Sequence, residues 1–378
     1  MVRHKLVVHA APNPVDTQWR AGVRKMKTLE YKLIFNTPAF LGNAQQDGQW
    51  RTPPIKAQLR QWWRLAYAGG RHQERGLVEA MRQVEGRLFG VAADGCDGAS
   101  RKSLLRLRLD RWDLGAMGRW EPLQKVSHPE TPFPVGADLY LGYGPVTLPR
   151  GTNTPQLKAR AAIQFGESAL LSLAYPDGDD AHLQRALGLM HRYGTLGGRS
   201  RNGWGAYELL PQGEENRNWA TSLPKELTRD WRDCLNLDWP HALGRDDQGP
   251  LIWTTPPLPL PEWKSVMVSL AKLKIGLRTQ FQFTAGQNAL APEARHWLSY
   301  PVTNHSVQAW GGNARLPNSL RFKVRREANG QLRGVIFHVP CLPPPAFRPN
   351  RGAIESVWQR VHAYLDAQPT ATLSRTTV

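Results

Sequence analysis

Only three cysteines occur in the chain, Cys96, Cys234 and Cys341, and they stand far apart with no paired spacing. That excludes a disulfide framework or a zinc knuckle and points to a reducing, cytoplasmic setting. No uninterrupted apolar run approaches a membrane span, and the N-terminus lacks the apolar core of a signal peptide, so no membrane partner is expected. The 11 histidines show no metal spacing such as His-Glu-x-x-His, so neither a metal nor any other cofactor is expected. Acidic residues are also scarce. The 31 Asp and Glu face 49 Lys and Arg, which leaves a formal charge of +18 and a pI near 10.2.

A chain this basic suits polyanionic partners, because its summed field steers phosphates toward it. Arginine dominates the charge, and a guanidinium forks onto phosphate and stacks on bases as an ammonium does not. The 15 tryptophans exceed what a core of this size needs, so some rings are expected at a contact surface. The length of 378 residues suits two domains, each with its own core.

From Leu29 to Phe35 apolar residues recur at every second position, which predicts a strand. A polar loop follows, and then a helix opened by Pro54, whose missing N–H goes unused in a first turn, and closed at Gly69 and Gly70. Ile55, Leu59, Trp62 and Ala66 share one face of this helix, and Lys56, Arg60, Trp63, Arg64 and Tyr67 occupy the next. Cations beside flat rings are what a single-stranded nucleic acid with unstacked bases requires. The alternative is a solvated basic face on which one of the adjacent tryptophans is core.

Further along, Leu77 to Phe89 keeps helical spacing, a glycine-rich loop spans Asp94 to Ser100, and Leu105, Leu107 and Leu109 alternate as a half-buried strand. Gly115 to Gly166 reads as a long insertion carrying Lys125, Arg150, Lys158 and Arg160, either a binding arm or a cover for the core. Ala169 to Tyr175 is a strand, and Asp179 or Asp180 is the expected cap of the helix after it. A last short strand to Leu210 completes the split βαβ order of ferredoxin-like and RNA-recognition-motif folds. Beyond Pro211 helical material is expected over Leu223 to Leu237 and Glu262 to Leu277. A hairpin turning at Asn329 and Gly330 and a closing helix over Ile354 to Leu365 follow. The expected class is α+β, with tandem ferredoxin-like domains carrying long insertions. Residues 28–215 form the first domain and 216–378 a degenerate second one. Residues 1–27 are a basic arm, read as disordered or as an over-extended start before Met26; its composition also admits a transit peptide.

Between Gly194 and Gly205 lie Gly197, Gly198 and Gly203, with Arg199 and Arg201 among them. Glycines let consecutive N–H groups converge on an anion, and the two arginines favour phosphate contact. A helix C-cap followed by a hairpin would account for several of the glycines without any ligand. The stretch fits neither a P-loop nor a dinucleotide fingerprint.

Four motifs in order, Thr37–Gly42 (TPAFLG), Pro53–Arg64 (PPIKAQLRQWWR), Leu88–Gly90 (LFG) and Leu196–Gly205 (LGGRSRNGWG), resemble the RAMP superfamily of CRISPR proteins. The PPIK opening and WWR ending look most like the first subunit of Cmr-type, type III-B effector complexes. In the second half the resemblance rests on Ala314–Lys323 (ARLPNSLRFK) and the hairpin. It implies a non-catalytic, RNA-binding subunit that caps a ribonucleoprotein filament near the guide RNA 3′ end and helps capture target RNA. Other RAMP-type subunits would be its partners, beside guide and target RNA. Lys56, Arg60 and Arg64, with Trp63 beside them, and Gly197, Gly198, Arg199 and Arg201 would be the RNA-binding residues. The insertion and the basic arm match nothing in the family pattern.

No catalytic residue is expected. The first helix has no histidine, the nearest being His72 beyond Gly69 and Gly70, and Asp47 sits in an ordinary Gln-Gln-Asp-Gly turn. The rival readings are a RAMP endoribonuclease using Asp47 or a histidine, and a stand-alone single-stranded RNA-binding protein.

Overall fold

The computed structural model describes residues 25–92, 100–213 and 223–376. The basic arm up to residue 24, the glycine-rich loop from Asp94 to residue 99, and residues 214–222 lie outside the described residues.

Strand β1 (Met26–Phe35) alternates as expected, with Leu29, Tyr31, Leu33 and Phe35 buried and Thr28, Glu30 and Lys32 on the other face. Helix α1 (Thr52–Ala68) carries its prolines in the first turn and ends where the Gly69 N–H bonds to the Leu65 carbonyl. Helix α2 (Leu77–Phe89) leads to β2 (Arg106–Leu109), then, past the insertion, β3 (Ser168–Pro176), α4 (Asp180–Tyr193) and β4 (Tyr207–Pro211), with α3 (Ala137–Gly142) inside the insertion. The sheet order is β2-β3-β1-β4 and every pairing is antiparallel. Asp179 does not cap α4: its carboxylate is taken by Arg87 of α2, which leaves no side-chain bond to the first turn.

The second half repeats the order. Strand β5 (Ile252–Thr254), α5 (Trp263–Thr279), β6 (Leu320–Arg326), β7 (Leu332–His338), α6 (Arg351–Asp366) and β8 (Ser374–Arg375) form a sheet ordered β6-β7-β5-β8, again antiparallel throughout. The helix expected over Leu223 to Leu237 is not formed. Thr228–Asp230 is a strand paired with Leu243–Arg245, with a 3-10 turn at Lys225–Leu227 before it and one α-helical turn, Trp231–Cys234, capped by the Asp230 carboxylate, after it.

The halves are joined through shared apolar contacts and a few buried cations. Phe337 of β7 packs on Trp62 of α1 and on Tyr193 of α4. Lys323, fully buried in β6, donates from Nζ to the carbonyls of Met190 (3.3 Å) and His191 (2.6 Å) in the last turn of α4. Those carbonyls lie at the negative end of the helix dipole, and the Met190 oxygen also accepts the Gly194 N–H at 2.8 Å, so a cation there is stabilising. Edge strand β6 is further held by the second glycine-rich loop, Gly194–Gly205 (hereafter the glycine-rich loop), where the Phe322 N–H meets the Arg201 carbonyl at 3.0 Å.

The insertion covers the core: Trp120, Leu123 and Leu141 are buried with Trp204 of the glycine-rich loop and Trp263 and Met267 of α5. Its outer side remains in solvent.

Candidate nucleic-acid interface

Helix α1 does not present the aromatic part of the face expected of it. Trp63 is 1% exposed and packs against Tyr67, Phe89 and His182, so it is core and offers no surface to a base. Trp62 is buried too, against the second half, so both adjacent tryptophans are structural. Arg60 and Arg64 converge on one buried carboxylate, Glu85 of α2, with the Arg64 pair at 2.7 Å. Lys56 is half-buried, and burial together with Arg60 lowers its pKa. The basic stripe is thus tied to a neighbouring helix through one carboxylate, while the Arg60 and Arg64 side chains keep part of their surface in solvent.

In the glycine-rich loop the backbone is occupied as well. Gly197 has φ +91°, and a Cβ there would stand 2.6 Å from the Phe40 carbonyl oxygen. Gly198 has no positive φ, and its N–H donates to that same oxygen at 2.9 Å, so it does not cradle an anion. At Gly205, φ is +61° and a Cβ would reach 1.9 Å from the Leu196 carbonyl oxygen. These glycines serve close backbone approach. The arginines behave differently. Arg199 is exposed, with Nε donating to the Tyr143 carbonyl at 2.6 Å, and Arg201 donates to the Asn318 carbonyl at 2.8 Å, burial lowering its pKa.

Both arginines line a cleft of about 1930 Å³ bounded by the insertion, the glycine-rich loop and α5 with the loops after it. Lys125, Arg199, Arg201, Lys274, Arg278, Arg295 and Arg315 face it, against the carboxylates of Glu130 and Asp138 alone. Both acids are engaged: Glu130 holds Arg295 at 2.6 Å, and Asp138 accepts from the Trp120 indole, at 2.7 Å, and from backbone N–H groups. At the rim stand Tyr143, 63% exposed, and, beside the lining Pro134, Phe133, 76% exposed. Cations and exposed rings therefore meet here, away from α1.

Arg199 and Arg201, expected from the sequence as phosphate contacts, line this cleft, and so do Lys274 and Arg278, which the sequence analysis did not single out. A signal was available: Trp263–Thr279 contains no acidic residue to pair its four cations, Lys264, Lys272, Lys274 and Arg278, and the last two stand four apart on one face.

Asp47 is employed structurally. Its carboxylate accepts from the Arg160 backbone N–H and Nε, both at 2.8 Å, and this pairing holds its pKa below the ordinary value. Among the described residues no group of three or more His, Cys, Asp or Glu side chains could hold a metal, and no helix is long and apolar enough to cross a membrane.

Residues 32–208 match the family model of the RAMP superfamily, a little under half of the chain. No curated protein matches. Among solved structures, the chain is similar to Cmr1 from Pyrococcus furiosus in its apo form, at 14% identity and TM-score 0.42, over 89% of this chain and 96% of that one. A chain of the type III-B Cmr-beta complex bound to cognate target RNA gives 10% identity and TM-score 0.42, over 88% and 99%.

Proposed function

We propose, with the RAMP-superfamily identity of residues 32–208 as premise, that this protein is a non-catalytic, RNA-binding subunit of a type III-B CRISPR ribonucleoprotein. In this reading its two split βαβ units are tandem ferredoxin-like domains, 28–215 and 216–378, and it caps the complex near the guide RNA 3′ end. Guide RNA, target RNA and other RAMP-type subunits are its partners, in the cytoplasm. The observation that carries the reading is the cleft, where seven Lys and Arg side chains meet two acids that are already engaged.

A single strand fits such a surface better than a duplex. Its phosphates follow the cations, Lys125 and Arg199 at the rim and Arg201 deeper, and its bases stack on Tyr143 and Phe133. Arg60 and Arg64, bound to Glu85, act mainly in folding, and Lys56 lends charge to the flank.

Filter binding of a single-stranded RNA across a salt series tests the reading. With ~6–10 phosphates neutralised, affinity should fall roughly 10³–10⁵-fold between 50 and 200 mM salt. Shuffled sequences should bind alike, and labelled guide and target RNA should stay intact with or without magnesium. Salt-insensitive or strongly sequence-selective binding would count against the reading, and magnesium-dependent cleavage would favour an endoribonuclease. Purification from the native host should bring guide RNA and related subunits with it, whereas a stand-alone protein would come alone.

A further inference from the structure

The deepest part of the cleft has an excess of hydrogen-bond donors. Lys274 and Arg278 stand four apart on α5 and are only 8% and 9% exposed, yet neither forms an ion pair among the described residues. Lys274 Nζ donates to the Asn202 amide oxygen at 2.6 Å, and Arg278 donates to the Ser299 hydroxyl at 2.9 Å. Both acceptors are neutral, and donors on each cation remain unspent. The buried Tyr140 hydroxyl lies beside Arg278 and has no hydrogen bond of ordinary geometry. His128 accepts the Glu130 backbone N–H at Nδ1, which leaves its proton on Nε2, another donor.

Two like charges at this spacing repel, and burying them without a counter-ion is costly. Burial, reinforced by the Arg278 charge, accordingly drives the Lys274 pKa well below its usual value. The acid at hand, Glu130, is committed to Arg295. An incoming anion is what reconciles this arrangement.

We propose that Lys274, Arg278 and Tyr140 form a subsite at the cleft floor for the terminal phosphate of a single-stranded RNA. The proposal rests on the RNA reading above. A backbone phosphodiester is flanked by nucleosides on both sides and tracks a surface, whereas a terminal phosphate can enter end-on to groups this deeply buried. A phosphomonoester also brings more charge and more acceptor oxygens to a site rich in donors.

The test compares short oligouridylates ending in 3′-phosphate, 5′-phosphate or hydroxyl, with thermal melting in inorganic phosphate as a second readout. Wild-type protein should bind one phosphate-ended RNA roughly tenfold tighter than the hydroxyl-ended one. In Lys274→Met and in Arg278→Met that ratio should fall to about one. Inorganic phosphate should raise the wild-type Tm and leave the Tm of Lys274→Met unchanged. In phosphate-free buffer Lys274→Met should melt above wild type, because it removes a buried amine that has no counter-ion there. Equal affinity for all three ends, with no response to inorganic phosphate, would overturn the subsite while leaving the RNA reading intact. If no RNA binds but phosphate still raises the Tm of wild type alone, the RNA reading and the terminal-RNA assignment fall together. A lower Tm for Lys274→Met with its phosphate response retained would make the lysine structural and overturn the proposal.

Discussion

Helix α1 and the cleft contain similar residues put to opposite uses. On α1, two arginines share the buried Glu85 carboxylate and the tryptophan beside them is enclosed by Phe89 and His182. In the cleft, cations outnumber acids that are already bound, and the rings of Tyr143 and Phe133 stand in solvent. Density of positive charge therefore does not identify an anion surface. What sets the cleft apart is that its surplus of charge, once the local acids have been assigned, stands beside exposed rings, whereas the rings next to the α1 cations are core.

The sharpest way to test that contrast is Trp63→Ala. As a truncation of a fully buried ring it should cost about 3–5 kcal/mol of stability, read by chemical denaturation, while molecules that remain folded bind RNA as before. Loss of RNA affinity without loss of stability would return α1 to the binding surface. Next in size are the glycines. Gly205→Ala should cost about 1–3 kcal/mol or more, since it combines a positive φ with a clash against backbone, whereas Gly198→Ala should be nearly neutral by thermal melting. Equal costs at the two positions would mean that the loop's backbone is not what shapes this wall of the cleft.

Acid should reach the core before the cleft. Burial, with Lys323 nearby, lowers the His191 pKa from 6.5 to about 3. Below pH 6.5 the unfolded chain takes up a proton that the native chain refuses, so stability is greatest above that pH and falls toward pH 3. This histidine alone should contribute about 1.4 kcal/mol per pH unit over that window. His191→Asn, which keeps an acceptor for the Leu209 N–H, should flatten the Tm–pH curve by that one proton. An unchanged curve would show that the site is wet in solution. The smallest effect is the most specific. Lys125→Ala with Arg199→Ala should lower the salt slope of RNA binding by about one unit per lost phosphate contact, and Arg60→Ala with Arg64→Ala should leave it unaltered. Reversed slopes would exchange the roles of the two regions.

Much of the fold was legible where a repeat ran long enough to read. Leu29 to Phe35, the helices from Leu77 and Glu262, the hairpin at Asn329 and the closing helix all carry several turns or alternations. Strands β5 and β8, with three and two residues, carry no period, and they exist because neighbouring strands recruit their backbones. Leu223 to Leu237 misled because its apolar spacing is shared by a strand pairing and one helical turn.

The candidate site was half legible. Arg199 and Arg201 advertised themselves by interrupting a glycine run. Trp63 was misplaced because both faces of α1 look amphipathic until α2 and the second half are docked against them. Lys274 and Arg278 went unremarked because, among the four cations of their helix, these two stand out only when burial and the acids around them can be counted.

The lysine buried at the seam has a further consequence, for the chain as it is made. Strand β6 is an edge of its sheet, and Lys323 lies in it with Arg321 two residues before. Until the first half covers it, that edge exposes two charges among Leu320, Phe322 and Val324, which discourages pairing with the same edge of another nascent copy. Once the end of α4, made earlier in the chain, docks on β6, its last carbonyls accept hydrogen bonds from the Lys323 Nζ and the barrier disappears. The residue thus acts as a gatekeeper against aggregation during synthesis and as a pin afterwards, and only the right partner surface converts one role into the other.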